Sequence, residues 1–287
     1  MLLHFDDEVE FASRLARSAG LATRLVERHR FPDGEIKLTL PVPLPPAVVV
    51  LRSLHRPNEK LLELVLLADT ARALATRHLT LVAPYLAYMR QDRAFAPGEA
   101  VSQAIVGRLL AERFDRVITV DPHLHRTPAL GHAVPARQAL ALSAAPLLGA
   151  HVLAHEPCAL LLGPDAESEQ WVRSAAGDRL ECAVCAKHRH GDSAVRIELP
   201  ALPLAGRPVV LLDDMASTGS TLAECARLAL AAGAASVDAA VTHALLDDAS
   251  MARLAAAGIR NLVSTDTVPH PSNRIEVAGL IASAGLK

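Results

Sequence analysis

The chain has 287 residues, 51% hydrophobic, 21% charged and 3% aromatic, which is enough for one large core or two of ordinary domain size. Its 29 basic and 31 acidic side chains give a formal net charge of −2 with no one-sided tail, which argues against a nucleic-acid clamp or a polybasic membrane patch. No apolar run reaches the roughly 18 residues of a spanning helix, the start lacks the order of a signal peptide, and four cysteines do not make a disulfide scaffold, so the expectation is a globular cytoplasmic protein that binds neither membrane nor nucleic acid.

Residues 21–30 and 35–40 read as two strands around a turn at Pro32-Asp33-Gly34. A connector with Pro41, Pro43, Pro45 and Pro46 follows. Residues 48–51 form a buried strand, and 58–77 a helix whose faces are marked by Leu61, Leu62, Val65, Leu66 and Asp69. A strand over 79–83 is closed by Pro84. A helix over 101–113 and a strand over 117–120 come next. Residues 135–150 are Ala/Leu-rich and suit a crossover between two halves, which places a boundary near 145 and predicts domains 1–145 and 146–287. In the second half, strands over 160–163, 209–212, 237–242 and 262–264 alternate with helices over 166–176, 220–232 and 249–257. Strands alternating with helices predict an α/β fold, each half a mostly parallel sheet flanked by helices.

The sharpest local signal is Val209-Val210-Leu211-Leu212-Asp213-Asp214-Met215-Ala216-Ser217-Thr218-Gly219-Ser220-Thr221. A fully apolar strand ends in two carboxylates, then a hydroxyl- and glycine-rich loop, then a helix start. Ligands of open α/β sheets sit outside the carboxyl ends of strands. The loop N–H groups and the helix N-terminus favour a phosphate. Asp213 and Asp214 would repel a bare phosphate, so they suit sugar hydroxyls or a bridging divalent cation. The ligand expected is a phosphorylated sugar with vicinal hydroxyls.

This segment resembles the ribose-5-phosphate-binding loop shared by phosphoribosyltransferases and ribose-phosphate pyrophosphokinases. Three further segments resemble the pyrophosphokinases alone: Phe31-Pro32-Asp33-Gly34-Glu35, the run from Pro84 to Arg93 that contains Arg90-Gln91, and Asp121-Pro122-His123. Thr267-Val268-Pro269-His270-Pro271-Ser272-Asn273 follows the same pattern. The resemblance implies two phosphoribosyltransferase-like (Rossmann-like) halves, the first making nucleotide and oligomer contacts and the second carrying the sugar-phosphate loop. It implies ATP contacts from Phe31, Asp33, Gly34, Glu35, Arg90 and Gln91, with the 31–35 turn supplied by a neighbouring subunit, hence a homo-oligomer of at least two chains. It assigns Mg²⁺ to His123 and Asp165, and ribose 5-phosphate to Asp213, Asp214, Ser217, Thr218, Gly219, Ser220 and Thr221. From the residues alone, Tyr85 and Tyr88 read as core, Arg90 suits a polyphosphate because guanidinium is always charged and bidentate, and no P-loop sequence is present.

Cys182-Ala183-Val184-Cys185 precedes Lys187-His188-Arg189. A lone C-x-x-C inside an apolar strand-like run is a weak zinc or redox signal, and the better reading is a strand leading into a cationic loop. Lys187 and Arg189 match the family's Lys-x-Arg, and Lys187 is one of 4 lysines beside 25 arginines. The reaction implied is transfer of the diphosphoryl group of ATP to O1 of ribose 5-phosphate, giving 5-phosphoribosyl 1-diphosphate and AMP, with Lys187 and Arg189 as the catalytic cations. The alternatives are a phosphoribosyltransferase that consumes that product and a non-catalytic regulatory subunit. Two departures stand out: Ser217 replaces the usual third Asp, as in archaeal-type members, and Ala166-Glu167 follow Asp165 where a Gly-Gly pair is usual.

Overall fold

This computed structural model describes residues 1–190 and 194–286, with side chains described except at 187–196. The chain divides into two compact units, Met1–Leu142 with Val277–Lys287, and Ser143–Glu276. The expected division ran 1–145 and 146–287; here the C-terminal segment returns to the first unit, where the Arg116 guanidinium donates to the Ala284 carbonyl at 2.6 Å.

In chain order the first unit comprises β1 (Leu2–His4), α1 (Val9–Ala19), β2 (Thr23–Leu25), β3 (Glu27–Arg30), β4 (Ile36–Thr39), β5 (Ala47–Leu51), α2 (Pro57–Ala73), β6 (His78–Ala83), α3 (Ser102–Ala111), β7 (Arg116–Val120), α4 (Leu130–Ala133) and β8 (Gln138–Leu142). The second comprises α5 (Ala145–His155), β9 (Leu160–Gly163), α6 (Glu169–Ala176), β10 (Glu181–Val184), β11 (Ala186–His190), β12 (Ala194–Glu198), β13 (Pro208–Ala216), α7 (Ser220–Ala231), β14 (Ser236–Ala244), α8 (Asp248–Ala256), β15 (Ile259–Thr265) and β16 (Asn273–Ile275); α9 (Ala278–Ala282) belongs to the first unit.

Each unit holds a six-stranded sheet whose neighbours are all parallel, in the orders β2-β1-β5-β6-β7-β8 and β10-β9-β13-β14-β15-β16. Both orders are one topology. In each, the second strand lies outside the first, a two-stranded antiparallel hairpin follows (β3-β4 or β11-β12), and the third strand pairs on the other side of the first. The switch points therefore fall between β1 and β5 and between β9 and β13, and crevices at the carboxyl ends of those strands are the natural ligand positions.

The sequence reading missed β8 and β1, which are short edge or terminal pieces with weak periodicity. It also fused β2 and β3 into one strand. Val26 separates them: it is buried, and its N–H donates to the His4 carbonyl at 2.8 Å, which ends β2 against the main sheet. The hairpin that follows is pinned to α2 by Arg28–Glu63 and Arg30–Glu59 ion pairs of 2.6 Å each.

The crevice between β1 and β5 is filled by the protein itself. Arg52, just past β5 and 1% exposed, reaches Asp7 at 2.7 Å, Glu8 at 3.1 Å and Glu63 at 2.5 Å, and its guanidinium lies 4.4 Å from the Phe5 ring centroid. Burial holds the Glu8 carboxyl above its usual range despite Arg52. Arg52→Ala leaves Glu8 buried without this counter-charge and Glu63 with Arg28 alone, so we expect about 3–5 kcal/mol of destabilisation by urea unfolding; a loss below about 1 kcal/mol, the range of a surface pair, contradicts the buried network.

Candidate active site

The second unit's crevice is lined differently. β13 continues past the predicted end at 212 through Asp213, Asp214 and Met215 to Ala216, because β14 is equally long and the ladder carries on with Asp213 opposite Val241 and Met215 opposite His243. The acidic pair thus sits inside the last turns of the strand's pleat, and the loop proper begins at Ser217. Asp214 is buried, Asp213 half-buried, and the Asp214 N–H donates to Asp213 Oδ1 at 3.0 Å. Asp165 follows β9, the neighbouring strand, and its Oδ1 accepts from the Glu167 N–H at 3.0 Å. Burial, then Asp214, then Asp165 push the Asp213 carboxyl well above its ordinary value. Asp165, Asp213 and Asp214 therefore form a single cluster of negative charge.

The loop after the acids is shaped for close approach. Gly219 is buried at φ +70°, and a Cβ there would lie 2.9 Å from Leu254 Cδ2, so only glycine fits without a shift. Thr218 Oγ1 bonds Ser220 Oγ at 3.2 Å and accepts from the Ser220 N–H at 3.4 Å; both residues are exposed, while Ser217 and Thr221 are half-buried. From α8, the Arg253 guanidinium donates to the Thr218 carbonyl. Sequence reading passed over Arg253, since nothing in the local pattern ties an exposed helical arginine to a loop 35 residues earlier.

In the first unit, Phe31, Asp33, Gly34 and Glu35 lie at the tip of the β3-β4 hairpin. The Glu35 carbonyl accepts from the Phe31 N–H at 2.8 Å, Asp33 Oδ1 accepts from the Glu35 N–H at 3.1 Å, and Gly34 takes φ +96°. Phe31 is exposed, its ring edge-on to His29 at 4.7 Å. Tyr85 is buried; Tyr88 is half-buried and its hydroxyl bonds Asn58. Arg90 is exposed and Gln91 half-buried beyond β6, and the Gln91 carbonyl accepts from the Gln103 N–H at 3.1 Å. Asp92 pairs with Arg126 at 2.6 Å, which ties the segment after β6 to the segment after β7 and lowers the Asp92 carboxyl pKa through that hydrogen bond.

His123 follows β7 and stacks edge-on with His125, ring centroids 3.7 Å apart. Asp121, buried at the strand's end, has φ +36°, a strained conformation for a residue with a side chain. His123 and Asp165, the two expected metal ligands, each lie beyond the carboxyl end of a strand in their own unit. Lys187 and Arg189 belong to β11 by backbone; their side chains lie outside the described residues. Among the described residues no helix is long and apolar enough to cross a membrane.

Comparison with known proteins places this arrangement. Residues 1–113 match a family described as the N-terminal domain of ribose phosphate pyrophosphokinase, and residues 201–282 one described as the phosphoribosyl synthetase-associated domain. A ribose-phosphate pyrophosphokinase of Methanopyrus kandleri is 36% identical across 99% of this chain and 98% of its own. Ribose-phosphate pyrophosphokinase 2 of Archaeoglobus fulgidus is 35% identical across 94% of each chain. The crystal structure of phosphoribosylpyrophosphate synthetase from Mycobacterium smegmatis superposes with a TM-score of 0.84 at 25% identity, covering 99% of this chain and 96% of that one. The likeness to archaeal proteins accords with the Ser217-containing loop.

The charge cluster carries a stability cost that can be measured. With its native-state pKa raised, Asp213 contributes no penalty below the ordinary carboxylate value and an increasing one as pH rises through the raised value. Asp213→Asn should therefore raise the melting temperature of the metal-free protein by about 2–4 °C at neutral pH, with the difference vanishing near pH 4 and below. A lower melting temperature for the variant at neutral pH contradicts the repulsion.

Proposed function

The chain belongs to the ribose-phosphate pyrophosphokinase family, and on that premise we propose that it transfers the β,γ-diphosphoryl group of ATP to O1 of ribose 5-phosphate, yielding 5-phosphoribosyl 1-diphosphate and AMP. The single observation that carries this reading is the acidic pair joined to a hydroxyl-lined helix start at the second unit's switch point. The 2- and 3-hydroxyls of the sugar donate to Asp213 and Asp214, while the N–H groups and hydroxyls of Ser217, Thr218, Gly219, Ser220 and Thr221 hold the 5-phosphate at the N-terminus of α7. Arg253 steadies the loop through the Thr218 carbonyl. Gripped at both ends, the sugar has its O1 fixed in direction, which removes most of the entropy of a bimolecular encounter.

A divalent cation fits the donor set. Beyond burial, Asp214 and Asp165 raise the proton affinity of the Asp213 carboxyl between them, and three such carboxylates are hard oxygen donors of the kind that suits Mg²⁺. Asp165 and His123 are each proposed as a ligand of Mg²⁺, and Asp213 lies close enough to Asp165 to feel its charge. When bound, Mg²⁺ neutralises polyphosphate charge. Phe31, Asp33, Gly34 and Glu35 are proposed to contact the base of ATP from a neighbouring copy, so the working unit is a homo-oligomer of at least two chains. Arg90 and Gln91 take the nucleotide on the chain's own side, the guanidinium facing phosphate oxygens. Lys187 and Arg189 supply positive charge where it accumulates on the transferred group and the leaving AMP, with no covalent enzyme intermediate.

The test is AMP release from ATP, ribose 5-phosphate and Mg²⁺ with no nucleobase present. A phosphoribosyltransferase or a non-catalytic subunit releases none. Lys187→Ala should lower kcat by about a hundredfold or more, with the KM for ribose 5-phosphate within about twofold, since its charge acts mainly in the transition state. A variant with near-normal kcat removes Lys187 from the chemistry.

A further inference from the structure

Helix α8 meets the sugar-phosphate loop at two successive residues. The Arg253 guanidinium donates to the Thr218 carbonyl at 2.5 Å. Leu254 lies against Gly219, where an added Cβ would come within 2.9 Å of its Cδ2. One residue of α8 therefore holds the peptide that leads into Gly219, and the next fills the space beside it. Thr218 is exposed and Gly219 buried, so the loop turns inward across this one peptide.

Arg253 keeps its charge unpaired. Arg173, Arg207, Arg227 and Arg260 of the same unit each pair with a carboxylate, on Glu169, Glu181, Glu224 and Asp238 respectively. Among the described residues Arg253 has no ion pair, and it is the one cation bonded to residues 217–221. The Asp247 carboxyl is held low first by Ser250, whose N–H it accepts at 2.8 Å, and only last by Arg253. The Gly219 N–H also has no acceptor among the described residues, although the residue is buried; a buried donor of this kind calls for a partner. The Thr218–Gly219 peptide is trans, so its C=O and N–H point in opposite directions. A guanidinium on the oxygen fixes where that N–H points. It also polarises the peptide and makes the N–H a stronger donor.

We propose that Arg253 is a positioning residue that sets the affinity for the 5-phosphate of the sugar, by holding the Thr218–Gly219 peptide with its N–H turned to the phosphate and by placing an unpaired positive charge behind the loop. The charge matters because the other end of the site is acidic. Asp213, Asp214 and Asp165 repel a phosphate dianion, and the N-terminus of α7 sets only about half a positive charge against them. The inference deepens the function proposed above and rests on it. Arg253 acts on binding, before any bond breaks, so its loss falls on the KM for ribose 5-phosphate and not on kcat.

The experiment compares the full chain with Arg253→Leu, Arg253→Lys and Arg227→Leu, the last removing the same charge from α7 without touching the loop. AMP release is measured at saturating ATP and Mg²⁺ with ribose 5-phosphate varied, and melting temperatures show that each variant folds. Arg253→Leu should raise the KM for ribose 5-phosphate at least about fivefold, with kcat and the KM for ATP within about twofold of the parent. Arg253→Lys, which keeps a charge and a donor, should have a lower KM than Arg253→Leu, and Arg227→Leu should match the parent. The inference is overturned if Arg253→Leu raises the KM by less, if the loss falls on kcat instead, if the lysine gives no recovery, or if Arg227→Leu raises the KM equally. A parent chain that releases no AMP contradicts the proposed function and this inference with it; an active parent matched by Arg253→Leu overturns this inference alone.

Discussion

Repulsion among carboxylates at the end of β13 is the constraint on which the site depends. Asp214 is buried and Asp213 half-buried beside it, with Asp165 close enough at the end of β9 to raise the Asp213 pKa further. A chain selected for stability alone would not keep such a group, because each buried charge loses hydration that its like-charged neighbours do not replace. The repulsion on Asp213 is relieved when a ligand supplies donors or positive charge. Sugar hydroxyls and a divalent cation do both, and the loop that follows supplies the N–H groups for a phosphate at the other end of the same ligand.

The first unit shows the alternative solution to the same geometry. Its sheet has the same strand order and the same hairpin insertion, yet its switch point is occupied by Arg52, held by Asp7, Glu8 and Glu63. There the acids receive their positive charge from within the protein. The shared topology is what an internal duplication would leave, with one crevice closed by a resident arginine and the other left to bind. The two hairpins occupy equivalent places in the two units, and they are the segments that carry the proposed base contacts at 31–35 and the proposed catalytic cations at 187 and 189.

Much of this was legible in the sequence because the signals are local. A strand such as residues 160–163, buried on both faces, needs an unbroken apolar run, and the phosphate loop needs small and hydroxyl residues before a helix start; both patterns are read directly. The failures are of the opposite kind. The extension of β13 through two aspartates depends on the length of β14, and the break at Val26 depends on a bond to His4. Arg253 reaches the loop, and Arg126 fastens Asp92. Each of these joins residues far apart in sequence, whereas the reading of the C-x-x-C run as part of a strand agrees with the structure, where its two cysteines pack into different cores.

The central claim is that the acidic strand end and the loop after it grip the two ends of one phosphorylated pentose. Crystals grown with ribose 5-phosphate, Mg²⁺ and a non-hydrolysable ATP analogue test it most directly. The account predicts the 5-phosphate against the N–H groups of residues 218–221 and the vicinal hydroxyls on the carboxylates of Asp213 and Asp214. A sugar phosphate bound elsewhere, with that loop making no contact to it, would contradict the account.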